Sequence, residues 1–194
     1  MTPPKGKDAS RQKILDAAGA AFADLGFAGT SMEEIARRAG LTRMTVYNLF
    51  ASKEEIALSI VARIDAQFAP IYRQQLDSGR DALELIQEAL LESARWCLAN
   101  ASLAAVVLSS HMGMRSYAPP ADRPSFHGYI RDLVALGQRQ GRFRTDVEAN
   151  IVALILLGSY TMTMLSALAG GPFEEIWVAN LPRLLVEGIA AKNS

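Results

Sequence analysis

The chain is short of the residues on which several classes of protein depend. It has one cysteine, Cys97, so no disulfide can close within it, and two histidines, His111 and His127. A Cys2His2 metal site is impossible, and no Cys/His cluster has metal-ligand spacing. Both histidines lie beyond residue 110, and the cysteine stands between Trp96 and Leu98. No nucleophile, base and orienting group recur at a recognisable spacing, so neither catalysis, a metal nor a cofactor is expected. Charge of one sign is also missing: 20 Lys and Arg face 20 Asp and Glu in 194 residues, with a sequence pI near 6.7. Nucleic-acid binders usually carry a basic excess, so this balance at first argues against one. The opening Met1-Thr2-Pro3-Pro4-Lys5-Gly6-Lys7-Asp8 lacks the apolar run of a secretory leader, and a reducing cytoplasm is the expected location. Runs of alternating β-branched residues bounded by turns are absent too, which removes the signal for a sheet.

What is present is apolar and helical. Half of the residues are hydrophobic, too many for a disordered chain, and the length is enough for one large core or two small ones. Two stretches, 149–173 and 96–114, hold no Asp, Glu, Lys or Arg over 25 and 19 residues. Both are long enough to consider as membrane spans. The first contains Asn150, Ser159, Thr161, Thr163 and Ser166, ends in Gly170-Gly171-Pro172, and has acidic flanks with no positive-inside signal. The second is interrupted by Asn100 and Ser102. Helices buried in the protein or at a subunit interface, with no membrane partner, are the expectation.

Apolar residues recur with the helical period along the whole chain, and the expected fold class is all-α with about nine helices. A first helix is expected over about 8–25, with Ile14, Ala18, Phe22 and Leu25 inward and Gly26 as its left-handed stop. Ser31 followed by Glu34 has capping-box spacing and opens a short second helix that ends at Ala39-Gly40. Thr42 opens a third, to about Leu49. Ser52 caps a long fourth from Lys53 to about Leu76, which Pro70 is expected to kink. Further helices are expected over 81–99, 101–115, 123–140, 146–169 and 173–191, with Pro182 kinking the last or delaying its start. The composition shifts near residue 52, which divides the chain into a domain at 1–52, with a flexible basic arm at 1–8, and a larger one at 53–194.

Two short helices separated by a Gly-containing turn form a helix-turn-helix unit. Small Ala36 permits a close crossing, Gly40 supplies the turn, and Val46 faces a small core with Ile35, Ala39, Leu41 and Phe50. Thr42, Arg43, Met44, Thr45, Tyr47 and Asn48 are left for the outer face and leading end of the second helix. Those types suit the major groove: hydroxyls for phosphates, Arg for guanine or phosphate, Asn for adenine, Met for a thymine methyl. The plain alternative is a helical hairpin on a globular surface, in an adaptor or small-molecule-binding protein without DNA.

Over about residues 10–56 the sequence resembles the TetR family of bacterial transcriptional regulators. The resemblance rests on Arg11-Gln12-Lys13-Ile14-Leu15-Asp16-Ala17-Ala18, Phe22, Leu25-Gly26-Phe27 and Gly29-Thr30-Ser31-Met32. It continues through Ile35-Ala36, Ala39-Gly40-Leu41-Thr42, Tyr47-Asn48-Leu49-Phe50 and Ser52-Lys53-Glu54-Glu55. It implies a three-helix DNA-binding domain followed by a divergent ligand-binding and dimerisation domain. By position it implies that Tyr47 and Lys53 contact phosphates and that Thr30 or Ser31 anchors the backbone at the second helix. Thr42, Arg43, Met44 and Thr45 would reach base edges or flanking phosphates. Arg43-Met44 departs from the smaller pair common in the family, and Asn48 stands where the family varies, so operator preference does not transfer. The resemblance further implies a homodimer formed through the helices near 146–169 and 173–191, a two-fold operator of double-stranded DNA, and repression relieved by a small apolar or amphipathic effector.

Charge partition sharpens the opening balance. Residues 1–55 carry eight basic and seven acidic groups and the remainder twelve and thirteen, while residues 1–13 alone carry four basic groups and one acid. Beyond residue 52, bulky adaptable side chains accumulate. Trp96, Asn100, His111, Met112, Tyr117, Phe126, Tyr129, Tyr160 and Met164 are the candidate pocket residues, with Arg95 and His127 as further orienting groups. Any one of them serves equally well as core packing, and Cys97 reads as a small buried hydrophobe.

Overall fold

The computed structural model describes residues 6–112 and 124–187, the side chains of 110–112 excepted. Among these residues there are nine α-helices and no strand. They are α1 Gly6–Gly29, α2 Met32–Ala39, α3 Arg43–Leu49, α4 Lys53–Leu76, α5 Ala82–Ala99, α6 Ala101–Met112, α7 Phe126–Arg139, α8 Ala149–Leu168 and α9 Glu175–Glu187. The all-α expectation holds.

The local stop and start signals account for most boundaries. Gly26 takes φ 71° and breaks the helical backbone of α1, as its sequence position requires. Ser125, Ser31 and Thr42 each cap a helix through a side-chain oxygen that accepts a backbone N–H. Ser125 starts α7 later than the expected 123. The helix α8 starts at Ala149 rather than 146 because the Gln138 side-chain amide holds the carbonyls of Arg144 and Val147 in a turn. Helical backbone continues on both sides of Pro70 and of Pro182, so neither proline ends its helix and Pro182 does not delay the start of α9. Residues 6–8, expected in a flexible arm, already belong to α1; residues 1–5 lie outside the described part.

Backbone contacts cluster into two units, Met1–Ile64 with Asn100–Gly113, and Asp65–Ala99 with Met114–Ser194. The packing boundary therefore falls inside α4, not at residue 52, and α6 joins the first unit, where it packs on α1. The first unit buries Ile14, Leu15, Ala18 and Phe22 of α1 with Ile35, Val46, Phe50, Ile56 and Ile60. Leu25 does not join them: it is 48% exposed, because the buried stripe of α1 ends at Phe22, about two turns before the helix does. In the second unit α5 packs on α7 and α9, and α8 lies against α7 and α9. Leu85, Ile86 and Leu90 of α5, Ile130 and Leu133 of α7, Leu156 and Met164 of α8, and Val178 of α9 are buried there. By length and composition α8 could cross a membrane, but a third of its apolar window is already buried within the chain.

Candidate nucleic-acid interface

The second helix of the motif is held by elements on both sides. At the end of α2, Gly40 adopts the left-handed conformation (φ 65°, ψ 33°), and the Leu41 N–H returns to the Ala36 carbonyl at 3.0 Å. A residue with a Cβ would be strained there. The Thr42 hydroxyl oxygen then accepts the Thr45 N–H at 3.1 Å and opens α3. Val46 is fully buried. Thr42, Arg43, Met44, Tyr47 and Asn48 are exposed, Met44 by 74%, while Thr45 is half-buried. The reading of α3 as a presented helix with one inward valine therefore matches its packing.

Charges around this surface are paired within the protein. Ser31 caps α2 by accepting the Glu34 N–H at 3.1 Å, but Glu34 does not complete a capping box. Its carboxylate accepts from Arg37 at 2.7 and 2.8 Å and from Arg38 at 2.7 Å. Those two hydrogen-bonded arginines hold the Glu34 carboxyl down at about 2. Arg38 also bonds Asp24 at 2.5 Å. Arg43, on α3, pairs with Glu33 at 2.5 Å and lies 5.8 Å from the centre of the Tyr47 ring. Of the basic groups near the N-terminus, Lys7, Arg11 and Lys13 belong to α1. One of them is committed: Arg11 donates to the Leu49 carbonyl at 2.9 Å and sits 4.2 Å over the Phe50 ring. It thereby closes the C-terminal end of α3, a role that a separation of 38 residues hides from any local pattern.

Thr30 and Lys53 differ most from their sequence-expected places. Thr30 is only 2% exposed, and its hydroxyl donates to the carbonyls of Gly26 at 2.7 Å and Ala21 at 3.2 Å. Its side chain is therefore turned inward, away from a backbone-anchoring position, whereas Ser31 next to it is exposed. The Lys53 ammonium donates to the carbonyls of Phe27 at 2.8 Å and Thr30 at 3.0 Å and lies 4.5 Å from the Phe27 ring centre. A cleft of about 430 Å3 opens beside them, lined by residues 28–32, Tyr47 and 51–54. Tyr47, the exposed Ser31 and the starts of α2 and α4 meet around it. Backbone N–H groups at helix starts suit a phosphate.

The candidate pocket residues are dispersed. Tyr129, Tyr160 and Met164 are buried in the core of the second unit, Phe126 and Trp96 are half-buried there, and Asn100 belongs to the first unit, where its carbonyl accepts the N–H groups of Leu103 and Ala104. His111 and Met112 have side chains outside the described part, and Tyr117 lies outside it altogether. Two polar clusters result. Tyr160 donates to Ser93 at 2.8 Å, with the Cys97 sulfur 3.8 Å away and the Phe126 ring 6.5 Å off. Burial pushes the Cys97 thiol up, so the thiolate is disfavoured. Tyr129 stacks on Tyr72 with centroids 4.0 Å apart and planes within 6°, and bonds Gln75. Burial raises Tyr129 to about 12 and holds Asp65 at about 6, the Phe126 backbone N–H acting against the latter. Asp65, Tyr72, Gln75 and Ser93 escape a reading of the sequence because no motif marks them.

A family model described as "Bacterial regulatory proteins, tetR family" matches residues 14–60. The HTH-type transcriptional repressor KstR2 of Mycobacterium tuberculosis is 28% identical over 178 residues, covering 84% of this chain and 83% of that one. The FadR repressor of Thermus thermophilus, solved with lauroyl-CoA, superposes with TM-score 0.77 at 22% identity over 95% of this chain and 97% of that one. FadR of Bacillus subtilis, solved with stearoyl-CoA, gives 0.67 at 18% identity over 92% and 99%. These two structures share the fold. The capped helix-turn-helix lies wholly within the segment, residues 14–60, that is similar to the tetR family of bacterial regulatory proteins.

Proposed function

We propose that this protein is a homodimeric, effector-released transcriptional repressor that acts in the cytoplasm. The observation that carries the reading is α3: a helix anchored by buried Val46 that presents Thr42, Arg43, Met44, Tyr47 and Asn48 to solvent. Thr42 and Arg43 reach phosphates or a guanine, Met44 meets a thymine methyl, Asn48 reads a base edge, and Tyr47 with Ser31 takes the flanking phosphate. Thr45, half-buried beside its cap partner Thr42, supports that end of the helix.

Dimerisation supplies the second half-site. Ile151, Ile155 and Met162 form one exposed stripe of α8, and Trp177 and Leu184 are exposed on α9. Such residues are covered when these helices pair with their copies as a four-helix bundle. Two recognition helices about 34–36 Å apart then enter successive major grooves. The effector is an amphipathic molecule with a long apolar part. The acyl-CoA complexes of the two FadR proteins make fatty acyl thioesters the class to try first. Binding shifts α4 and the spacing of the recognition helices, and releases DNA only to the extent that the effector prefers the released state.

The test is fluorescence anisotropy with DNA flanking the protein's own gene, followed by titration with lauroyl-CoA. A shift that collapses on adding the thioester is expected; absence of any shift at low salt would remove the DNA reading. Light scattering checks the assembly. The wild type is expected at twice the chain mass and Ile155→Asp at the chain mass, with operator affinity lowered at least about tenfold because one half-site is lost.

A further inference from the structure

Resting on that DNA-binding reading, we propose that Lys53 is a positioning residue: it orders the reading surface by clamping the turn at 27–30, and does not do so by pairing with a phosphate. An ammonium has three N–H donors and no acceptor. Two of them are directed at the carbonyls of Phe27 and Thr30, at 2.8 and 3.0 Å, and the charge lies over the Phe27 ring at 4.5 Å. Phe27 lies just past the Gly26 break at the end of α1, where its carbonyl also accepts the Thr30 N–H at 3.3 Å, and Thr30 lies between α1 and α2, where a backbone acceptor has no helical partner. The turn is thus tied from both directions. Thr30 fastens it to α1 through Gly26 and Ala21, and Lys53 fastens it to the first residue of α4.

The clamp bears on the start of α2. Ser31, next to the clamped Thr30, is the N-cap of that helix, and the cleft beside it is bounded by Tyr47 on α3 and by Lys53 itself. If the ammonium left for a phosphate, the Thr30 carbonyl would lose its donor in a part-buried turn, the Phe27 carbonyl would keep only the Thr30 N–H at 3.3 Å, and the ring contact would go as well. The start of α2, which frames the cleft, would then lose one of its two ties. Nothing local in the sequence announces this, since the bonded groups lie 26 and 23 residues before the lysine.

The experiment compares full-length Lys53→Met, Lys53→Arg and Arg43→Ala with the wild type. Operator affinity is measured at several salt concentrations, together with hydrogen exchange of the amides at 29–34. Lys53→Met is expected to weaken operator binding at least about tenfold while leaving the slope of log affinity against log salt unchanged, because no phosphate contact is lost. Exchange at 29–34 should quicken. Lys53→Arg, which can still donate to both carbonyls, should recover most of the affinity. Arg43→Ala is the comparator, expected to reduce the slope by about 1 per subunit if that cation pairs with a phosphate. A fall in slope of about 1 per subunit for Lys53→Met, with exchange unaltered, would overturn the proposal in favour of a phosphate contact. Unchanged affinity would overturn it as well. Should Lys53→Met not fold, Lys53→Gln, which keeps an N–H donor, is measured in the same way. If the wild type binds no DNA, the DNA reading fails and the positioning role fails with it; the exchange data then report only whether the clamp exists.

Discussion

Three side chains that tie the first packing unit together bond to backbone, whereas two buried tyrosines of the second meet other side chains. Thr30, Lys53 and Arg11 each reach a main-chain carbonyl of another segment, and Ser31 and Thr42 each accept a main-chain N–H. Tyr160 instead meets Ser93 and Cys97, and Tyr129 meets Gln75 and the ring of Tyr72. The difference follows from element length. Short helices such as α2 and α3, with eight and seven residues, have unsatisfied backbone groups over most of their length. Helices of eighteen and twenty residues, such as α5 and α8, satisfy their own backbone and leave side chains to fill the space between them. One unit therefore ties its turns and helix ends to one another, whereas the other fills the space between its long helices.

The sharpest way to break the comparison is inside α3. Val46→Asp buries an unpaired carboxylate at a fully enclosed site and should cost more than about 4 kcal/mol, with loss of DNA binding. Met44→Ala, two residues earlier and 74% exposed, should leave the melting temperature nearly unchanged and alter only which base is preferred. Thermal unfolding followed by binding to a set of singly substituted operators distinguishes the two. A large loss of stability in Met44→Ala would mean that α3 is packed and not presented.

A smaller effect probes the second unit. Burial holds the Asp65 carboxyl at about 6, above its ordinary 3.8. Because the folded chain binds this proton more tightly than the unfolded chain, the stability it confers is complete below about pH 4 and is lost as pH rises through about 6. Asp65→Asn keeps an acceptor for the Phe126 N–H and removes the ionisation. It should raise stability by about 2 kcal/mol at pH 7.5 and by almost nothing at pH 4, measured by urea unfolding at both values. An equal gain at both would show that desolvation of the carboxylate is not the cause. Smaller again is Tyr160→Phe, which removes the hydroxyl from Ser93 and should cost about 1 kcal/mol. A gain in stability would mean that the Tyr160 site is poorly matched to its polar partner.

The parts of this arrangement that were legible in the sequence are those set within three or four residues. Gly26 and Gly40 sit where a left-handed backbone ends a helix, Ser31, Thr42 and Ser52 sit where a cap oxygen meets an N–H three residues on, and Val46 falls on the inward phase of α3. Leu25 misled because periodicity gives the direction of a face and not where the neighbouring element stops covering it. Glu34 misled because two nearby guanidinium groups compete with one backbone N–H for the same carboxylate, and the charged donors bind more strongly. The pocket candidates were legible only as a composition. Aromatic residues, Met and Cys fill cores and bind ligands with the same contacts, and Tyr72, Gln75 and Ser93 acquire meaning only as partners of Tyr129 and Tyr160.

By itself, then, the sequence determined the all-α class, the helix-turn-helix, its inward valine and, Thr45 excepted, the residues open to solvent on α3. Each of these depends on backbone chemistry and helical phase acting over a few positions. Tertiary structure alone decided that Thr30 faces inward, that Arg11 closes α3, and that Arg38 meets Asp24 of α1 and Arg43 meets Glu33 of α2. It also decided that Gly137 must remain without a side chain, since a Cβ there would fall 2.3 Å from the Phe143 ring. These outcomes depend on which distant groups the packed helices bring within hydrogen-bonding or van der Waals range, and that proximity exists only once the chain has folded.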